Sequence, residues 1–354
     1  MSAPVYKVVA QLPAHAATGP IETRYAWELE SLAPIGARIE EVAAATEEEF
    51  LAVAHDADAL ITSWGFPISA SIIAGLERCV VIGVGSVGTD MVDVEAATRA
   101  GIVVTNTPDI FIEEVADHAM ALLLACARRV VEQHELVVGG RWTEGRPILS
   151  RLPRLFGTTL GLVSYGNVAR ATARRAKAFG FHLVAYDPFV SELAMTADGV
   201  EPLTSLGELL ERSDYVSIHA PLNPGTYHLI GPAELARMKQ DAVLVNTGRG
   251  GIVDEEALAE AIRAGRLAGA GLDVLEQEPP PATHPLFGLP NVILSPHVAS
   301  ATSRMRPETR RRVGREVALV LQGGWPRSTV NPTVLPRTAL TRWQPYPMDR
   351  GPNR

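Results

Sequence analysis

Cysteine is almost absent from this chain of 354 residues, and neither Cys79 nor Cys126 has a second Cys or a His beside it at metal-ligand spacing. That argues against a disulfide framework and a zinc site, and both thiols, in apolar surroundings, read as buried and free. His-x-x-x-His, Cys-x-x-Cys and paired acidic clusters are missing as well, so no metal is expected. Excess positive charge is lacking too: the net charge is -8, which removes the general footprint of a nucleic-acid binder. No apolar run reaches the roughly 20 residues of a membrane-spanning helix. The longest, AMALLLACA at 119–127, reads instead as a helix buried between domains or in a homodimer. The opening MSAPVYKVVAQL runs straight into a strand, without the charged start and cleavable apolar core of a secretory leader, so the cytoplasm is the expected location.

What is present suits an enzyme of about two domains. An apolar content of 47% over this length fills two ordinary cores. The one basic stretch, Arg304, Arg306, Arg310, Arg311, Arg312 and Arg315, is interleaved with Val313, Val317 and Val320 at helical spacing and reads as a solvated helix face. Short apolar strands are expected at Val5–Ala10, Ala59–Thr62, Val80–Val84 and Ile102–Thr105, with helices at Thr46–Ala54 and Val94–Ala100. They form one small doubly wound domain. A long helical pattern from Glu113 leads into a second domain with strands near 160, 184, 217, 244, 270 and 293. The helix Thr302–Leu321 then returns to the first. The expected division is 1–107 with 302–335, an inserted domain at 108–301, and a mobile Pro- and Arg-rich tail at 336–354. Such a chain crosses twice between its domains, and ligand sites favour the cleft that results.

Three polar residues end apolar runs late in the chain: Arg249 in VLVNTGRGGIVD, Glu278 in GLDVLEQEPP and His297 in NVILSPHVAS. Taken singly, each is ordinary: a surface arginine, a loop glutamate, a strand-end histidine. Together they offer a planar fork for a small carboxylate or carbonyl oxygen, and a side chain that exchanges protons near neutrality. A carboxylate beside the imidazole favours its charged form. In open parallel sheets, ligands lie beyond the carboxyl ends of the strands, where all three stand.

Upstream, GTTLGLVSYGNVARATARRAKAFGFHLVAYDP places Ser164, Gly166 and Ala169 in the turn between a strand, Thr159–Val163, and a helix, Val168–Phe179. This is an altered GxGxxG phosphate loop. The next strand, His182–Tyr186, ends in Asp187, eighteen residues past Ala169. An acid there accepts from the adenosine ribose and repels a ribose phosphate, which favours NAD over NADP.

From about Ile61 to Pro332 the sequence resembles the D-isomer-specific 2-hydroxyacid dehydrogenases. The segments that carry the likeness are SVGTDMVDVEAATRAGIVVTNTPD, EEVADHAMALLLACARR, the dinucleotide loop, YVSIHAPLNPGTYHLI and the three strand ends above. The resemblance implies a Rossmann-type NAD-binding domain inserted into a flavodoxin-like substrate domain. It implies interconversion of a small 2-keto acid and its D-2-hydroxy acid, with Arg249 binding and polarising the substrate, His297 as general acid or base and Glu278 as its partner. It also implies substrate-carboxylate contacts from Ser86, Val87 and Gly88. Cofactor contacts would come from Ser164, Tyr165, Gly166, Asn167, Val168 and Asp187, from His219, Ala220, Pro221 and Thr226, and from Thr247, Gly248 and Asp273. Asp273 would lie near the nicotinamide carboxamide. Trp64 and Gly65 are expected to line the outer substrate pocket.

The departures from the family pattern are Ser164 and Ala169 in place of the first and last loop glycines, Ser86 where glycine is frequent, and Gly248 where Ala or Ser often stands. If position 164 needs a left-handed backbone, serine costs roughly 1 to 2 kcal/mol there. A formate-oxidising relative would carry Gln at 278, and a phosphite-oxidising one a Lys near Ser86. The alternative of another class is a dinucleotide-sensing, corepressor-like interaction protein with negligible turnover. His118 reads as a satisfied structural residue, and His15, His55, His134, His182, His228 and His284 show no partner pattern.

Overall fold

The computed structural model describes residues 6–12, 19–62, 66–150 and 152–342. The chain divides into two compact units, Met1–Ile110 with Thr302–Arg354 and Phe111–Ala301. The first boundary falls at Ile110, not at 107. Residues 107–110 stay with the first unit because Thr107 N–H donates to the Ser86 carbonyl (3.0 Å) and the Arg304 guanidinium to the Ile110 carbonyl (2.8 Å).

The first unit is built on five parallel strands: β1 (Lys7–Gln11), β2 (Arg38–Val42), β3 (Ala59–Thr62), β4 (Val81–Val84) and β5 (Val103–Thr105). Their order is β2-β1-β3-β4-β5, the flavodoxin-like arrangement. The inner strands are unbroken apolar runs, as a parallel sheet covered on both faces requires. On one face Val8, Ala10, Ala59, Ile61 and Val81 pack with Val313, Val317 and Leu321 of the returning helix Met305–Leu321. Strand β2 was not expected. Its sequence RIEEV alternates exposed and buried positions at the sheet edge, so charge masks the apolar pattern.

That returning helix corrects the reading of the basic stretch as a solvated face. Arg310 donates to the buried Glu28 carboxylate at 2.5 Å and lies over the rings of Tyr25 and Trp27. Arg312 reaches Glu316 at 2.7 Å and Asp109 at 3.4 Å. Residues 336–342, read from composition as the start of a mobile tail, are fastened. The Arg337 guanidinium donates to the carbonyls of Ala100 (2.6 Å) and Leu76 (2.8 Å), and Thr341 bridges to Gly324.

The second unit carries seven parallel strands: β6 (Thr159–Val163), β7 (His182–Tyr186), β8 (Glu201–Pro202), β9 (Tyr215–Ile218), β10 (Val243–Asn246), β11 (Gly269–Leu272) and β12 (Val292–Leu294). The order β12-β11-β10-β9-β6-β7-β8 is that of a Rossmann sheet with one strand added. Strand β8, two residues at an edge, was too short to be read from sequence. The helix Ile112–Ala127 buries Ala119, Met120, Leu122, Leu123 and Cys126 against Leu160, Leu162, Val243 and Val245. That explains its apolar run without a membrane, and among the described residues no helix is long and apolar enough to cross one. Cys79 and Cys126 are both buried and free.

Candidate active site

Chain direction across the second sheet reverses between β6 and β9, and the residues after both strands converge at that switch point. His219 N–H donates to the Val163 carbonyl (2.9 Å), which sets His219 beside the turn that begins at Ser164. Ser164 has φ 71°, the left-handed region that glycine adopts freely and serine only at a cost. Its Oγ donates to Asp187 Oδ2 at 3.0 Å, and the Tyr165 N–H to the same oxygen at 2.8 Å. Phe189 N–H donates to Asp187 Oδ1 at 2.8 Å. A carboxylate has about four acceptor positions, so these three donors leave one. The Tyr165 side chain is fully buried, its hydroxyl donating to Asp198 at 3.1 Å, so only its backbone borders the turn.

The turn fits a dinucleotide. Gly166 precedes the helix Asn167–Ala178 without any side-chain cap, and a Cβ at Gly166 would meet nothing within 4 Å, so the space beside Gly166 is open. A helix start of this kind receives phosphate. Two further polar atoms at strand ends lack partners: His219 Nδ1 and Thr247 Oγ1 are buried with no hydrogen-bond partner among the described residues. Burial pushes the His219 imidazole down to about 4, which keeps it neutral, and its Nε2 sits 2.9 Å from Ser217 Oγ. Thr226 instead caps its own loop, donating to the Pro221 carbonyl at 2.6 Å and accepting from Asn223 N–H at 2.8 Å. Ala220 is buried.

Arg249 and the Glu278–His297 pair follow the neighbouring strands β10, β11 and β12. Arg249 is extended. Its carbonyl accepts from Asn246 Nδ2 (2.9 Å), and its Nη1 donates to the Gly248 carbonyl (2.8 Å). His297 Nδ1 lies 2.7 Å from Glu278 Oε2, and Glu278 Oε1 accepts from Leu275 N–H at 2.9 Å. Burial pushes the Glu278 carboxyl up, but the hydrogen bonds from His297 and Leu275 and the nearby Arg249 charge together hold it below its ordinary value. An ionised carboxylate only accepts, so His297 Nδ1 carries the proton between the two. His297 has φ 53°, a strained conformation that His visits more readily than most residues. Asp273 holds it there. The buried Asp273 carboxylate accepts from Ser295 Oγ (2.6 Å), Val298 N–H (3.0 Å) and Ala299 N–H (2.8 Å), while its carbonyl takes His297 N–H at 2.7 Å. His118 supports the same loop, its Nε2 2.8 Å from Ser295 Oγ.

A model of the NAD-binding domain of D-isomer specific 2-hydroxyacid dehydrogenases matches residues 120–299. The chain belongs to that family. A glyoxylate reductase of Korarchaeum cryptofilum is 43% identical over 281 residues, 79% of this chain and 84% of that one. A D-3-phosphoglycerate dehydrogenase of Methanocaldococcus jannaschii is 38% identical over 85% of this chain, but only 57% of its own length is matched. Among solved structures, an NADPH-dependent glyoxylate/hydroxypyruvate reductase from Sinorhizobium meliloti, in complex with NADP and malonate, is 31% identical with a TM-score of 0.81, covering 95% of this chain and all of that one. The cofactor of this 2-hydroxyacid dehydrogenase family member is accordingly a nicotinamide dinucleotide.

The remaining expected site residues belong to the first unit. Ser86 Oγ donates to the Gly88 carbonyl (2.6 Å) and Asn106 Nδ2 to the Val87 carbonyl (2.7 Å), which pins the loop after β4 by its carbonyls. Trp64 and Gly65 lie outside the described residues. Missed in the sequence were Glu255 and His284, a buried pair 2.9 Å apart, and the pairing of His228 with Glu276 at 3.1 Å. A helix-start glutamate and a loop histidine 29 residues apart give no local signal.

The strain at Ser164 yields a testable expectation. Replacement by glycine removes a backbone cost of roughly 1 to 2 kcal/mol and the hydroxyl that occupies Asp187. To the extent that this cost falls on the bound state alone, Ser164→Gly is expected to tighten NADH binding by up to about tenfold, read by fluorescence titration. An unchanged or weaker constant would mean that the strain at Ser164 does not limit cofactor affinity.

Proposed function

We propose that the chain is an NAD-dependent dehydrogenase that interconverts a small 2-keto acid and its D-2-hydroxy acid, in the manner of a glyoxylate/hydroxypyruvate reductase. The observation that carries this reading is the 2.7 Å Glu278–His297 pair, with the charge of Arg249 acting on Glu278, in the same unit as the dinucleotide turn. The cofactor would be held by the turn at 164–168, by Asp187 and by the strand ends at His219 and Thr247. Its nicotinamide, when bound, supplies the hydride chemistry. Arg249 binds the substrate carboxylate and polarises the carbonyl oxygen with a two-pronged set of donors. His297 gives a proton from Nε2 to that oxygen in reduction and removes it in oxidation. Glu278 orients the ring through Nδ1 and stabilises the imidazolium. Backbone N–H groups at Ser86, Val87 and Gly88 are assigned to the substrate carboxylate by family likeness alone, and the position of Asp273 makes it the support of the His297 loop. A homodimer in the cytoplasm completes the reading; the exposed Val137, Val138 and Trp142 support the association.

Purified protein with NADH and a panel of 2-keto acids, beginning with glyoxylate and hydroxypyruvate, tests the proposal. NADH oxidation with at least one acid is expected, and none across the panel refutes it. Cofactor choice is read in the same assay. Asp187 accepts ribose hydroxyls and repels a 2′-phosphate, so kcat/KM with NADH should exceed that with NADPH. Equal or better use of NADPH would remove Asp187 from that role.

A further inference from the structure

We propose that Glu255 and His284 form a buried latch that positions Glu278 relative to Arg249, an inference that rests on the roles just assigned to those two residues. Glu255 begins the helix Glu255–Arg263, and both members of the latch are buried. Leu286 N–H approaches His284 Nδ1 at 3.4 Å, which leaves the ring proton on Nε2, facing Glu255 Oε2 at 2.9 Å. The other oxygen of Glu255 accepts the N–H of Glu276 at 2.8 Å. That N–H belongs to the peptide joining Leu275 and Glu276, and the same peptide abuts Gly250, the residue after Arg249. A Cβ on Gly250 would stand 1.9 Å from the Leu275 carbonyl carbon and 2.3 Å from Glu276 N, so only glycine permits the approach. Leu275 in turn donates to Glu278 at 2.9 Å. The Leu275–Glu276 peptide is therefore gripped by Glu255 and packed on the neighbour of Arg249, and the N–H of the adjoining peptide, that of Leu275, donates to the carboxylate that holds His297. The Glu276 side chain adds a surface tie, accepting from Tyr227 Oη at 2.7 Å with His228 Nε2 at 3.1 Å. A buried carboxylate with two donors is sensitive to the loss of either, because the unmatched group has no water to turn to.

Glu255→Gln keeps the shape but sets an amide N–H against one of the two donors. In keto-acid reduction its kcat is expected to fall about tenfold or more, with KM and the NADH dissociation constant within about threefold of the parent, since misplaced geometry is felt in the transition state. The basic limb of its pH profile should move to lower pH, because a displaced Glu278 supports the imidazolium less. His284→Gln still offers an N–H to Glu255 and should stay within about threefold of the parent, whereas His284→Phe should behave like Glu255→Gln. NMR titration of the His297 ring reads the latch without turnover. A ring that titrates at lower pH in Glu255→Gln or His284→Phe supports the latch even in a parent that reduces no acid on the panel, the outcome that sinks the functional proposal alone. An unshifted ring and profile in a folded Glu255→Gln overturns the latch, as does equal loss of NADH binding and kcat, the mark of a general structural role. If Glu255→Gln does not fold, equal kcat and equal ring titration in the two His284 variants overturn it.

Discussion

Arg249→Lys is expected to lower kcat/KM by at least about a hundredfold, roughly 2.7 kcal/mol of transition-state stabilisation, although the charge is kept. The backbone of Arg249 is extended at the end of β10, its carbonyl tied by Asn246, and one guanidinium nitrogen is committed to the Gly248 carbonyl at 2.8 Å. The guanidinium is planar, so its N–H groups keep fixed directions relative to one another. A lysine ammonium is a point charge on a rotating stem. It forms one contact where the fork forms two parallel ones, and the carbonyl oxygen loses its fixed direction of polarisation. The loss should appear in kcat as well as KM, because orientation matters most when charge develops on that oxygen. The NADH dissociation constant should stay within a few-fold, since the phosphate turn lies elsewhere on the sheet. A lysine variant within a few-fold of the parent in kcat/KM would take Arg249 out of the central role.

Much of this arrangement is legible in the sequence because its physics is local. Strands β3, β4, β6, β9 and β10 are buried on both faces and read as plain apolar runs. The phosphate turn and Asp187 declare themselves through glycine and the strand that follows. Where polar residues must serve two purposes, local reading fails. Edge strand β2 carries charges that disguise it, and Arg310 and Arg312 look like surface residues until Glu28, 282 positions away from Arg310, turns out to be buried beneath. Arg337 looks like part of a loose tail because its carbonyl partners lie more than 200 positions upstream. The Glu255–His284 pair and the hold of Asp273 on the His297 loop are of the same kind. Each is a contact set by topology, and no spacing in the chain announces it.

Replacing Glu278 with Gln should move the basic limb of reduction to lower pH, because it removes the carboxylate charge that lies 2.7 Å from the His297 ring. The Glu278 carboxyl is held below its ordinary value of 4.5, so it is charged throughout the neutral range, and its contribution is lost only as the pH falls through that lowered value. Above it, a full negative charge lies 2.7 Å from the ring and favours the imidazolium. Glu278→Gln keeps the shape and removes the charge, so the ring sheds its proton at lower pH. Reduction needs the protonated ring, and its basic limb should retreat toward lower pH. Oxidation needs the neutral ring and should begin at lower pH. His297→Asn is the companion variant, since asparagine tolerates the left-handed backbone seen at φ 53° and keeps the loop in place. It should depress both directions by roughly a hundredfold or more, the scale of a lost general acid, while NADH binding stays near that of the parent. Profiles of kcat/KM against pH in both directions, for parent and Glu278→Gln, decide the matter. Superposable profiles would mean that the two residues are uncoupled in turnover, and the proton-transfer half of the mechanism would fall.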